Sequence, residues 1–314
     1  MTTHHIDSIT KYIQRLKPFF ALSRTPHGLI DMAAPALAAL LCLGHFPSLA
    51  VTLVGLITMF AGYTAVYALN DLVDLRIDSA KVAQGGYNDD EGYVDGVLVR
   101  HPLAKNILSF SSGLAWAVGW AVVAIAGAYW LNPVCLYFFL AGCALEAVYC
   151  KLLRVSPWRS AINGVVKAIG PLAAVFAVQP APSALFLSIL FLWVFCWEIG
   201  GQNIPNDLTD LEEDRRFGAQ TLPVKLGAER AAILSLAMLT ATLFLHPLLL
   251  WASPLPIGGI DLLAAMAANF FILLRPVLNL AQRCERAQAM ALFNRASFYP
   301  LATLGLVLLR MIIS

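Results

Sequence analysis

Asn70-Asp71-Leu72-Val73-Asp74-Leu75-Arg76-Ile77-Asp78 recurs, with the same N-D-L-x-D-L-x-x-D skeleton, at Asn206-Asp207-Leu208-Thr209-Asp210-Leu211-Glu212-Glu213-Asp214. Each copy directly follows a long apolar run. Carboxylates at i and i+4 share one helix face about a turn apart. Asp74 with Asp78, and Asp210 with Asp214, therefore converge as oxygen ligands for a hard divalent cation. Such a set suits Mg²⁺ that keeps several waters and also binds a substrate phosphate. A single copy reads equally well as a solvated helix end. Two copies at equivalent points, each with three like charges to neutralise, favour a paired metal site around a diphosphate.

The runs that precede the motifs decide the fold class. Of 314 residues, 59% are hydrophobic and only 13% charged, and the mean hydropathy is +0.73. A soluble domain is about one quarter charged. Apolar stretches of about 20 residues, each long enough to cross a bilayer, are expected near 24–44, 48–70, 106–130, 133–151, 160–178, 183–205, 230–251, 257–278 and 293–313. Breakers such as Asn132-Pro133, Pro180-Ala181-Pro182 and Pro254-Leu255-Pro256 separate pairs of them. The expectation is an all-α polytopic membrane protein with about nine transmembrane helices around a central cavity. Strands are disfavoured because the runs are continuous and do not alternate.

Lys and Arg cluster before the first span and after the second, fourth, sixth and eighth, while the opposite loops carry essentially none apart from Arg310. The positive-inside rule then places the N-terminus and both Asp motifs in the cytoplasm, in an inner membrane or its equivalent. No cleavable leader is expected, because residues 1–17 are polar with scattered bases. The motifs lie four spans apart. This divides the chain into a cytoplasmic segment, 1–23, and one transmembrane domain, 24–314. Its halves, 24–159 and 160–295, read as parallel repeats with an extra ninth helix, capped by loops 71–105 and 206–229. Parallel repeats also occur in transporters. No basic tract is dense enough for nucleic acid, and the six cysteines contain no C-x-x-C pair and read as small buried hydrophobes.

Beside the motifs, Asn70, Asp71 and Asp207 extend the candidate metal set. Arg100 and Lys105, then Lys225, are candidate phosphate contacts. Within the spans, Asp31, Glu146, Asn163, Lys167, Glu198, Gln202 and Asn203 are polar at membrane depth, where such groups face a cavity or a partner. Asn203, one turn before Asp207, is expected to line the cavity. Pairing of Lys167 with Glu198 or Glu146 is the structural alternative. The six histidines form no metal spacing.

These residues resemble the UbiA family of intramembrane prenyltransferases. Asn70, Asp74 and Asp78 match its N-x-x-x-D-x-x-x-D motif, and Asp210 and Asp214 its D-x-x-x-D, preceded by Asn206. The run Asp214-Arg215-Arg216-Phe217-Gly218 through Thr221-Leu222-Pro223-Val224-Lys225-Leu226-Gly227 and the opening Ser23-Arg24-Thr25-Pro26 resemble further family segments. The family's Y-x-x-x-K is only half met: Tyr149 is followed by Cys150-Lys151-Leu152-Leu153-Arg154, so Lys151 or Arg154 would have to supply the charge. The segment between Asp78 and Arg100, which contains Gly85 to Tyr93, is longer than the family pattern and reads as a lid or a solvated loop. The resemblance implies Mg²⁺-dependent transfer of a prenyl chain from a polyprenyl diphosphate through an allylic carbocation. Asp74, Asp78, Asp210 and Asp214 would be the catalytic carboxylates. Arg24, Asn70, Arg100, Lys105, Tyr149, Lys151, Arg154, Asn203, Asn206 and Lys225 would bind substrate. An aromatic acceptor, as in quinone biosynthesis, is the first expectation, with Arg24 on its carboxylate. A sugar phosphate, glycerol phosphate or porphyrin acceptor is the alternative, and a cation or phosphate transporter the reading from another class.

Overall fold

The computed structural model describes residues 14–86 and 96–313. Of the long segment expected between Asp78 and Arg100, residues 87–95 lie outside them, and its first residues, to Ala83, are helical. Among the described residues, nine helices are long and apolar enough to cross a membrane. They are labelled α1 (Thr25–Leu43), α2 (Leu49–Ala83), α3 (Phe110–Leu131), α4 (Pro133–Arg154), α5 (Arg159–Val178), α6 (Ala184–Thr209), α7 (Ala228–Trp251), α8 (Gly259–Arg283) and α9 (Arg286–Ile313). Helices α2 to α9 each pack on the next, and α9 closes on α1, which also packs across to α5. The outer surface is apolar: Leu53, Val122, Phe244 and Leu263 are exposed, as expected of residues solvated by lipid. Tyr129, Trp130, Tyr137 and Trp251 are exposed at the span ends away from the motifs, where amphipathic rings favour the interface.

The two span boundaries that differ most from the sequence expectation both bear on the site. Helix α2 does not stop at Asn70; it runs unbroken from Leu49 to Ala83, so the first motif lies inside a continuous helix. Apolar counting ended the span where charge begins, but a helix needs only backbone pairing to continue into a polar environment. Helix α9 likewise starts at Arg286, ahead of the expected 293. The second motif sits differently from the first. A π-helical turn, Glu198–Asn203, interrupts α6, Asp210 ends it, and a short helix, Leu211–Phe217, continues to Gly218 in the left-handed region.

The π-turn has a local cause. Pro205 has no N–H to give the carbonyl one turn earlier, and Gly200-Gly201 lets the widened turn press against α7 and α9. A Cβ on Gly200 would stand 2.8 Å from the Met238 Cβ and 2.9 Å from the Ser235 carbonyl. Ser235 in turn donates to the Gly200 carbonyl. Gly200→Ala is expected to destabilise the protein by about 1–3 kcal/mol through overpacking, read as a lower unfolding midpoint in detergent. A midpoint equal to that of the wild type would refute this packing account.

Helix α1 is broken at Met32. Pro35 withholds the N–H that would pair with the Asp31 carbonyl, so the chain turns at the point where Asp31 enters the interior.

Candidate active site

One cavity of about 690 Å³ opens among α1 to α6 and α9. Its polar residues lie in layers along the helix axes. On α2 the lining residues Tyr63, Tyr67, Asn70, Asp74, Asp78 and Lys81 follow one face; on α5 they are Arg159, Asn163 and Lys167. With a rise of about 1.5 Å per residue, Lys167 lies roughly 12 Å deeper than Arg159. Beyond it the walls become apolar, with Met59, Leu131, Phe139, Ala173 and Leu308 among them.

The outer layer holds the motifs. Asp71 and Asp78, two turns apart on α2, face His101: its Nδ1 stands 3.3 Å from Asp71 Oδ1 and 3.1 Å from Asp78 Oδ2. The segment carrying His101 is anchored by Leu103, which packs with Leu22, Ala68 and Ala117. The backbone of His101 itself is left-handed, φ 51°, a conformation that a non-glycine residue holds only where its surroundings enforce it. Burial alone would hold the imidazole down, but the carboxylates of Asp71 and Asp78 override it and raise its pKa to about 9. Asp71 Oδ1 is buried and within ion-pair reach of His101 and Arg24, and one ligand atom from each of Asp71, Asp78 and His101 lies within 4.8 Å of the others. The two carboxylates are hard oxygen ligands that suit a divalent cation, while the imidazole, protonated between them, is their counter-cation.

The second motif faces the same space, since Asn206, Asp207, Asp210 and Asp214 all line the cavity. Lys81, 5% exposed, reaches from α2 to place its ammonium 3.4 Å from Asp214 and 3.2 Å from Glu213. Burial and the Asp210 charge raise the Asp214 carboxyl above its ordinary range, against the pull of Lys81. Arg159, 6% exposed, lies with its guanidinium 4.1 Å over the Tyr149 ring and 4.0 Å from Asp207. Its Nε makes no hydrogen bond.

Several residues selected from sequence have definite partners here. Arg24 lies 3.4 Å from Asn70 Oδ1 and 3.5 Å from Asp71 Oδ1, so it belongs to the first motif as much as to any acceptor. Asn70 Nδ2 donates to Glu146 at 2.6 Å. Arg100 and Asn203 line the cavity, whereas Lys105, Lys151, Arg154 and Lys225 are not among its lining residues, and the last three are exposed. Lys167 pairs with Asp31 at 2.7 Å and with Glu198 at 3.8 Å.

Sequence reasoning passed over His101, Lys81 and Arg159. Lys81 was detectable as the continuation of the face Asn70, Asp74, Asp78. His101 was hidden because its carboxylate neighbours are distant in sequence. Arg159 was hidden because topology alone accounts for a base at a span end.

Digeranylgeranylglyceryl phosphate synthase of Methanosarcina mazei is 29% identical over 261 residues, covering 82% of this chain and 81% of that protein. The enzyme of the same name from Thermococcus sibiricus is 26% identical over 249 residues, 79% of this chain and 80% of that protein. The structure of a UbiA homolog from Archaeoglobus fulgidus bound to DMAPP and Mg²⁺ superposes with a TM-score of 0.65 at 15% identity, covering 94% of this chain and 99% of that one. The model of the UbiA prenyltransferase family matches residues 32–298; the chain belongs to that family and is an integral, multi-pass membrane prenyltransferase.

Proposed function

We propose that this enzyme transfers a polyprenyl chain from its diphosphate to a hydroxyl group of a glycerol phosphate-type acceptor. The observation that carries the reading is one cavity with both carboxylate motifs and buried cations at its outer end and an apolar interior. The names of its synthase relatives favour the glycerol phosphate alternative over the aromatic acceptor of quinone biosynthesis, which the sequence placed first.

In this reading Asp74 and Asp78 would hold one Mg²⁺, with Asp71 and the charged His101 beside them, and Asp210 with Asp214 would face the same diphosphate. The A. fulgidus homolog bound to DMAPP and Mg²⁺ supports the choice of donor and ion. When bound, Mg²⁺ supplies Lewis-acid neutralisation of the departing diphosphate. The chain's own residues do the rest. Arg159, clamped on Tyr149, directs its guanidinium at the diphosphate oxygens. It takes the place that the sequence offered to Lys151 or Arg154. Arg100 and Arg24 add charge at the same end. The apolar walls hold the prenyl chain and keep water from the allylic cation. The excess of Lys and Arg at this end orients it to the cytoplasm.

The test is direct. Purified protein is incubated with a labelled polyprenyl diphosphate and a panel of acceptors, glyceryl phosphates and hydroxyaromatic acids, and the products are identified by mass spectrometry. An O-prenylated glyceryl phosphate is expected. A ring-prenylated aromatic as the sole product would overturn the acceptor assignment.

A further inference from the structure

The π-turn of α6 sets a second polar centre into the cavity, deeper than the carboxylate motifs. Glu198, Gln202 and Asn203 on this turn all line the cavity. Glu198 Oε1 accepts a hydrogen bond from Asn163 Nδ2 at 2.8 Å. Its Oε2 makes none and lies 3.8 Å from the Lys167 ammonium. That ammonium is engaged at 2.7 Å by Asp31, which also accepts from Tyr67 and has His27 3.8 Å away. Asn203 Oδ1 is likewise without a hydrogen bond. Both residues are 5% exposed.

A purely structural ion pair would satisfy both carboxylate oxygens, because a buried acceptor without a donor is costly. Here two acceptor atoms, about one turn apart on one helix and carried by residues that line the cavity, accept no hydrogen bond, with the Lys167 ammonium 3.8 Å from Glu198 Oε2. The distortion that presents them, a π-turn, recurs at functional sites. Asn203 lies one turn before Asp207, and Asn163 one turn deeper than Arg159, so the open acceptors stand on the deep side of the diphosphate end.

We propose that Glu198 and Asn203 form the acceptor site, receiving the hydroxyl groups of a polyol head, and that Glu198 is the general base. In the transfer step the bond from C1 to the diphosphate oxygen breaks, and the acceptor oxygen then bonds to the allylic cation at C1. The bonding pair leaves with the diphosphate, and the hydroxyl proton passes to Glu198 Oε2. This rests on the hydroxyl-acceptor reading above.

The experiment compares wild type, Glu198→Gln and Asn203→Ala with labelled geranylgeranyl diphosphate and a monoprenylated glyceryl phosphate, measuring kcat, both KM values and the thermal midpoint. Loss of a general base predicts a fall in kcat of roughly 10²–10⁴-fold for Glu198→Gln, with donor KM within about twofold of wild type. Loss of one hydrogen bond predicts an acceptor KM about tenfold higher for Asn203→Ala. The proposal is overturned if both variants keep kcat and acceptor KM within about twofold, or if donor and acceptor KM rise together with a lowered midpoint. Should Glu198→Gln fail to fold, the acceptor KM of Asn203→Ala decides. A wild type that prenylates only aromatic carbon removes the acceptor reading itself, an outcome visible before any variant is made.

Discussion

Asp78→Asn is expected to lower kcat for prenyl transfer by roughly 10²–10³-fold, the loss typical of removing one electrostatic contact to a developing anion. The substitution keeps shape and removes charge. Asp78 lines the cavity and, like Asp71, pairs with His101. Its loss removes one carboxylate ligand from the first motif and leaves Asp74. The Mg²⁺ concentration needed for half-maximal rate should therefore rise, while the helix, which continues past it to Ala83, stays intact. Glu212→Gln is the control. Glu212 is exposed and paired with Arg215 at 3.0 Å on the surface, and its rate should stay within about twofold. A normal Mg²⁺ dependence in Asp78→Asn would refute the assignment of this motif as a metal site.

The second large effect is expected at Arg159. Arg159→Ala leaves the Asp207 carboxylate buried without its nearest cation, and breaking one side of a buried pair costs about 3–5 kcal/mol. It also removes the guanidinium assigned to the diphosphate. The thermal midpoint should fall, and kcat over donor KM should drop by at least roughly 10²-fold. Arg159→Lys separates the two effects. An ammonium keeps the charge beside Asp207 but cannot offer a planar fork held against Tyr149. It should restore most of the midpoint and little of the activity. Full activity in the lysine variant would show that charge alone suffices and that the Tyr149 clamp has no role in binding.

Much of this molecule is visible in one dimension because the bilayer imposes one rule on every span. Backbone groups must pair internally and side chains must be apolar, so the number of spans and their approximate limits follow from hydropathy. The motifs were visible for a related reason: a chain with few charges draws attention wherever it repeats three carboxylates. The boundaries were less legible. Apolar counting cannot see that α2 carries Asp74 and Asp78 within an uninterrupted helix, nor that Pro205 and Gly200-Gly201 widen α6 into a π-turn.

The tertiary structure decided which polar residues act together. His101 meets Asp71 and Asp78 only because Leu103 anchors its loop between α2 and α3. Lys81 reaches Asp214, and Arg159 reaches Asp207, across helices whose positions no local pattern encodes. For the same reason Lys151, Arg154 and Lys225, each plausible by spacing, stand outside the cavity. Hydropathy and repetition are local and survive in sequence, so the membrane class, the spans and the two aspartate motifs were determined by sequence alone. Convergence depends on helix rotation and crossing, and only the packed fold sets the identity of the buried cations and the open acceptors of Glu198 and Asn203.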